Sequence, residues 1–127
     1  MGQKWNPVTQ SFKTDANMNS SAWLLVVLAS GGTDIDIAGA GALAIGALTN
    51  DVGAADTNTK YVDVQVGGVI KVATSDGVGD GTLLMSKSDG TAITATTGNY
   101  AIGICLQDAA DGELASVLWA PSYYEEG

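Results

Sequence analysis

The segment YAIGICLQDAADGELASVLW, Tyr100–Trp119, reads as a β-hairpin. Tyr100, Ile102, Ile104 and Leu106 alternate with Ala101, Gly103 and Cys105, the period-2 pattern of a strand with one packed face. Asp111-Gly112 supplies turn chemistry, because both residue types tolerate the positive φ of tight turns. Leu114–Trp119 then returns as the second strand. No catalytic side chain interrupts the unit.

Working back from this hairpin, the chain repeats the same grammar. Tyr61–Val66 (YVDVQV) alternates with Val62, Val64 and Val66 inward and Asp63 and Gln65 outward. Gly67-Gly68 predicts a two-residue hairpin turn into Val69–Thr74, and Asp89-Gly90 predicts another between Thr82–Ser86 and Thr91–Thr96. Asp76–Gly81 (DGVGDG) is a turn cluster. Ala22–Ala29 (AWLLVVLA) reads as a fully buried strand, since it is far short of the roughly 20 apolar residues needed to span a bilayer. Ala38–Leu48 is rich in small residues and fits a loose strand pair or a short helix, with its glycines opposing a helix interior. Thr49–Lys60 is a polar surface loop. Seventeen glycines and frequent Asp, Asn, Ser and Thr favour many short strands over long helices. The expected fold is all-β: a compact small β-barrel or sandwich of short antiparallel strands and hairpins.

The two ends depart from this pattern. Residues 1–21 show neither helical nor strand periodicity and predict an extended N-terminal arm, ahead of a β domain over 22–120 and a C-terminal tail over 121–127. Pro121 lacks the N–H that an ordinary central strand needs, so the last strand is expected to stop before it. The arm holds Lys4 and Lys13, two of the five lysines, with Asp15 as its one acid. It also holds Trp5 and Phe12. Large aromatics anchor interfaces because they bury much area at low entropy cost. Trp119, Tyr123 and Tyr124 crowd the other end in the same way. Both groups are equally consistent with plugging the ends of a small sheet structure.

The 127 residues carry a net charge of −9, without His or Arg. A face basic enough to neutralise phosphates cannot be assembled, which argues against nucleic acid as a partner. The absence of His removes the commonest general base and every Ser-His or Cys-His pairing. The carboxylate pairs Asp34/Asp36 and Asp108/Asp111 lie beside turn residues, where Asp is common for structural reasons. Gly39-x-Gly41 and Gly77-x-Gly79-x-Gly81 fit neither dinucleotide nor P-loop spacing, and no convincing helix follows them. Zinc lacks a ligand set, and clustered Asp leaves room only for a weak Ca²⁺ site. The lone Cys105, on an apolar strand, reads as a small buried thiol. The expectation is therefore no catalytic residue, no cofactor, no metal and no membrane segment.

Gly68-Val69-Ile70-Lys71-Val72, Gly79-Asp80 before Leu83, Ile102-Gly103-Ile104-Cys105-Leu106, and Gly112-Glu113 before a strand ending at Trp119 together resemble the capsid cement, or head decoration, proteins of tailed phages. The resemblance covers about Tyr61–Trp119. Cys105 takes the usual small-residue place, and Gln107 stands where an acidic residue is usual. The resemblance implies a non-enzymatic virion protein, commonly trimeric, on the outer capsid surface, bridging major capsid protein subunits against the pressure of packaged DNA. Under it, Lys4, Trp5, Phe12 and Lys13 would lie along the capsid, and Trp119, Tyr123 and Tyr124 would contact a neighbouring subunit. Deleting Met1–Asp15 would then lower capsid occupancy and leave the domain folded. The competing reading is a fibre or adhesin module that binds host glycans, which would need exposed aromatics beside acidic side chains.

Overall fold

A computed structural model describes residues 8–14, 22–28, 34–49 and 61–124. These residues form ten strands and no helix, so the all-β expectation holds. The strands divide into two five-stranded sheets that pack on each other, rather than one barrel enclosing the whole molecule.

The first sheet is built from β1 (Val8–Thr14), β2 (Leu25–Leu28), β3 (Asp34–Ile37), β4 (Gly46–Leu48) and β5 (Tyr61–Gly67). Its order β1-β3-β2-β4-β5 closes on itself, because β1 pairs antiparallel with β5 and parallel with β3. The parallel contact is short, Lys13 opposite Asp34 and Thr14 opposite Ile35. Val26, Ile35, Leu48, Val62 and Val64 fill the space inside, with Phe12 packed against them. Two expectations change here. The middle of the predicted arm is a sheet strand, held by the β5 ladder from Val8 opposite Gly67 to Lys13 opposite Tyr61. Polarity does not mark its alternation in the sequence, because its outward residues, Thr9 and Ser11, are no more polar than Gln10 between them. Removing Met1–Asp15 would therefore strip a strand from the sheet, not merely shorten an arm. The run Ala22–Ala29 contributes only the four residues of β2, and burial fades along it from Leu25 and Val26 to an exposed Leu28.

The second sheet has the order β6-β10-β9-β7-β8, with β6 (Val69–Ala73), β7 (Leu83–Ser86), β8 (Ala92–Thr94), β9 (Asn99–Cys105) and β10 (Leu114–Tyr124). The predicted Tyr100–Trp119 hairpin is its centre, β9 against β10 from Val117 opposite Cys105 onward. The Asp89-Gly90 hairpin forms as expected, pairing Ser86 with Ala92. Simple alternation fails in β9: Ile102 and Cys105 are both buried, whereas Tyr100 and Ile104 are exposed. The cause is a bulge in β9 against β7, where Leu84 faces Gly103 but Met85 faces Ala101 and Ile102 is the extra residue; on the other side Trp119 faces Gly103 and Ser122 faces Ala101, leaving Ala120 and Pro121 of β10 against Ile102. Gly103 sits there at φ 152°, and a Cβ on it would lie 2.0 Å from the Leu118 carbonyl oxygen. β10 also continues through Pro121 to Tyr124. Pairing with β6 ends at Leu118, so the missing Pro121 N–H falls where β10 has one neighbour and a bulge.

Gly67-Gly68 does not make a hairpin. β5 and β6 belong to different sheets, and the glycine pair is the corner where the chain crosses from one to the other. Gln65, expected outward, is fully buried. It does point away from Val64 and the first sheet's interior, but the second sheet covers that side. Its carboxamide pairs with the Lys71 backbone as a strand residue would: Lys71 N–H donates to Oε1 at 2.8 Å and Nε2 donates to the Lys71 carbonyl at 3.0 Å. Three more backbone bonds fasten the sheets. Trp23, at φ 67°, accepts from Ala73 N–H and donates to the Leu48 carbonyl, and Leu25 N–H donates to Gly90 at the β7–β8 turn. Of Ala38–Leu48, only Gly46–Leu48 is a strand, β4; Ala38–Ile45 is irregular, and Gly41 bridges Ser86 of β7 and Tyr100 of β9. The larger core lies between the sheets, where Leu25, Ile70, Leu84, Ile102 and Val117 pack among alanines.

Candidate interaction surface

The residues singled out for contact fall at two places, with different characters. Lys4 and Trp5 lie outside the described residues. Phe12 is half-buried against the first sheet's core, opposite Val62, so much of its ring is engaged within the protein. Lys13 is the next position of β1, between Tyr61 of β5 and Asp34 of β3. Val8, where β1 begins, stands opposite Gly67 at the inter-sheet corner.

At the other end, Trp119 is half-buried against the larger core, and its N–H donates to Gly68. Tyr123 is the exposed member of the trio, and Tyr124 is half-buried with its carbonyl accepting from Gly98. Tyr123 stands opposite Tyr100, and their rings meet edge to face with centroids 5.3 Å apart. This is a preformed aromatic pair on the extension of β10 past its bulge.

Between Gln107 and Ser116 lies a cleft of about 420 Å³ lined by Lys71, Gln107, Asp108, Glu113, Leu114 and Ser116. Its polar groups are partly committed to structure. Lys71 Nζ donates to Ser116 Oγ at 2.9 Å. Asp108 accepts from Asp80 N–H at 2.7 Å, Glu113 from Ala110 N–H at 2.8 Å, and Asp111 from Asp76 N–H at 3.1 Å. The carboxylates of this region clamp the Asp76–Gly81 loop to the β9–β10 turn, an arrangement completed by the Val78–Ala109 bridge. Among the described residues, no three His, Cys, Asp or Glu side chains are grouped to hold a metal ion. Cys105 is buried, donates to the Gln107 carbonyl, and has its thiol pKa pushed up by desolvation, so little thiolate forms near neutral pH.

A further surface was not singled out from the sequence. Register aligns Val69 with Leu118, Leu118 with Ile104, and Ile104 with Leu83, a row across four strands of the second sheet. Leu118 and Ile104 are 44% and 39% exposed, on the face opposite the core-facing Val117 and Cys105. A signal for it does exist in the chain: none of the five strands of this sheet contains Asp or Glu.

No family model and no curated protein matches the sequence. Among solved structures, the chain is similar to the head fiber gp8.5 N base of bacteriophage phi29, with a TM-score of 0.75 and 20% sequence identity, over 94% of this chain and 100% of that one. The two share a fold across nearly their whole lengths.

Proposed function

We propose that the chain is a non-enzymatic structural protein of a phage head, and that it decorates the outer surface of the major capsid protein shell as a cement protein. The observation that carries this reading is the fold shared with a head fiber base over 94% of the chain. The cement-like motifs supply independent support, because they fall on the second sheet and its turns, a part of the fold built as a scaffold with clamped loops. In this reading the shell is gripped by residues 1–7, through Lys4 and Trp5, with Phe12 and Lys13 anchoring that segment in the sheet. Many identical copies sum modest contacts into a large reinforcement.

The test adds purified protein to undecorated heads and measures occupancy by sedimentation. Deleting residues 1–6, which spares β1, or changing Lys4 and Trp5 to Ala, is expected to lower occupancy while the circular dichroism stays that of the intact protein. Undiminished occupancy with both variants would remove the grip assigned to this segment. Failure of the unaltered protein to bind any head would remove the cement role.

The fold shared with a head fiber base, and the exposed Tyr100–Tyr123 pair, favour one second reading: a module that binds host glycans. It requires saturable sugar binding that Tyr123→Ala abolishes, measured by calorimetry on the isolated protein.

A further inference from the structure

We infer that the chain is an internal repeat: β1–β5 and β6–β10 are two copies of one five-stranded unit, stacked head to tail. The inference rests on the fold alone and stands or falls apart from the proposed function.

The connections are its first ground. In the first half, β1 lies parallel to β3 and antiparallel to β5, β2 pairs with β3 and β4, and β4 pairs with β5. The second half repeats these neighbours strand for strand: β6 pairs with β10, β7 with β8 and β9, and β9 with β10. Its parallel contact, Thr74 opposite Ala92, joins the chain just past β6 to the start of β8. In the first half Thr14 opposite Ile35 joins the end of β1 to the start of β3.

Register is the second ground, and topology does not dictate it. Gly46 of β4 and Gly103 of β9 set a common origin. From there, Val26 opposite Gly46 corresponds to Leu84 opposite Gly103, and Ala47 opposite Gln65 to Ile104 opposite Leu118. Thr9 opposite Gln65 corresponds to Val69 opposite Leu118, and Leu28 opposite Ile35 to Ser86 opposite Ala92. These antiparallel ladders already place Thr14 on Thr74 and Ile35 on Ala92. The parallel contact then joins those same residues in both halves. A slip of two residues in any ladder would keep every side chain on its face, so packing alone does not impose the match.

The interiors agree as well. Val26, Ile35, Leu48, Val62 and Val64, which fill the first unit, fall on Leu84, Ala92, Cys105, Ala115 and Val117, all buried. The two glycines also answer to one constraint. A Cβ would lie 2.1 Å from the Gln65 carbonyl oxygen at Gly46 and 2.0 Å from the Leu118 carbonyl oxygen at Gly103, and Gln65 and Leu118 are themselves equivalent. Ile35 against Ala92 and Leu48 against Cys105 show why no period is visible in the sequence: the copies keep burial, not residue type.

One row separates the copies. Leu25, Ala47 and Gln65 are fully buried against the second unit, whereas their counterparts Leu83, Ile104 and Leu118 lie on the open face of the second sheet. A two-fold relation would bury the same row in both units; a head-to-tail relation buries it once. Gln65, which ties the joint to Lys71, thus corresponds to a half-exposed leucine, and the joint is where the copies have diverged in role.

Nuclear Overhauser contacts in the isotope-labelled full chain test the repeat. Cross-strand contacts are expected at equivalent pairs in both halves, Ala47–Gln65 with Ile104–Leu118 and Thr14–Ile35 with Thr74–Ala92. A register that differs between any two equivalent ladders, or a Thr74 without Ala92 beside it, overturns the inference. Substitution gives an independent reading. Gly46→Ala and Gly103→Ala are each expected to lower the urea midpoint sharply or to prevent folding, and Gly39→Ala, whose Cβ would meet open space, to leave the midpoint in place. A Gly46→Ala variant as stable as Gly39→Ala also overturns the inference, because the two glycines would then not be one position of one unit.

Discussion

Gln65 shows how much one side chain can hold. Its carboxamide satisfies both backbone groups of Lys71 inside the inter-sheet joint, where water cannot replace it. Gln65→Leu keeps the volume and leaves that N–H and C=O unpaired, so a loss of about 2–4 kcal/mol is expected from urea unfolding. Its role was half legible. Alternation with Val64 gives the side on which Gln65 points, but not that a second sheet lies there. Asp89 makes a smaller, pH-dependent contribution. Its pKa is held below the ordinary 3.8, chiefly by the hydrogen bond from the Thr91 hydroxyl. A depressed carboxylate adds stability above its unfolded pKa and loses it as pH falls through the folded one. Asp89→Asn is therefore expected to flatten the decline of stability below about pH 4, and to cost little there, as judged by melting at stepped pH. A decline identical to that of the unaltered chain would dismiss this contribution.

At the scale of elements, the β9–β10 hairpin, the β7–β8 turn and most strands were readable from alternation and turn chemistry. The bulge was not, because Gly103 looks like any small strand residue until β10 is laid beside it. Gly103→Ala would push a Cβ into the Leu118 carbonyl, so the central ladder must open. A cost of about 3 kcal/mol or more, with partial loss of cooperative unfolding, is expected in denaturant melts. Pro121→Thr gives the contrasting result: the proline breaks no ladder bond to β6, and stability should move by no more than about 0.5 kcal/mol. Gly67-Gly68 misled for a related reason. Two glycines between apolar strands encode a sharp change of direction, and sequence does not say whether the chain turns back or crosses to another layer. The contact residues were legible as types, while which aromatics remain exposed depended on packing that alternation cannot supply.

For the whole molecule, uneven charge is the dominant property. Self-repulsion at −9 opposes compaction and is screened within about 8 Å at physiological salt. Raising ionic strength is expected to raise the melting temperature of the unaltered chain, measured by calorimetry; a fall would show that attractive charge pairs dominate instead. The sheets should also unfold together. Gln65, Trp23, Gly90 and Gly41 link them at separate points, and the larger core belongs to both. The strand that completes the first sheet has a mechanical consequence. Val8 is the first of six register positions between β1 and β5. A pull directed along that strand loads the ladder in shear, so the bonds share the force and must yield together. A pull across it would peel them one after another. A load entering at Val8 along the strand axis therefore meets more resistance than the same load applied across it.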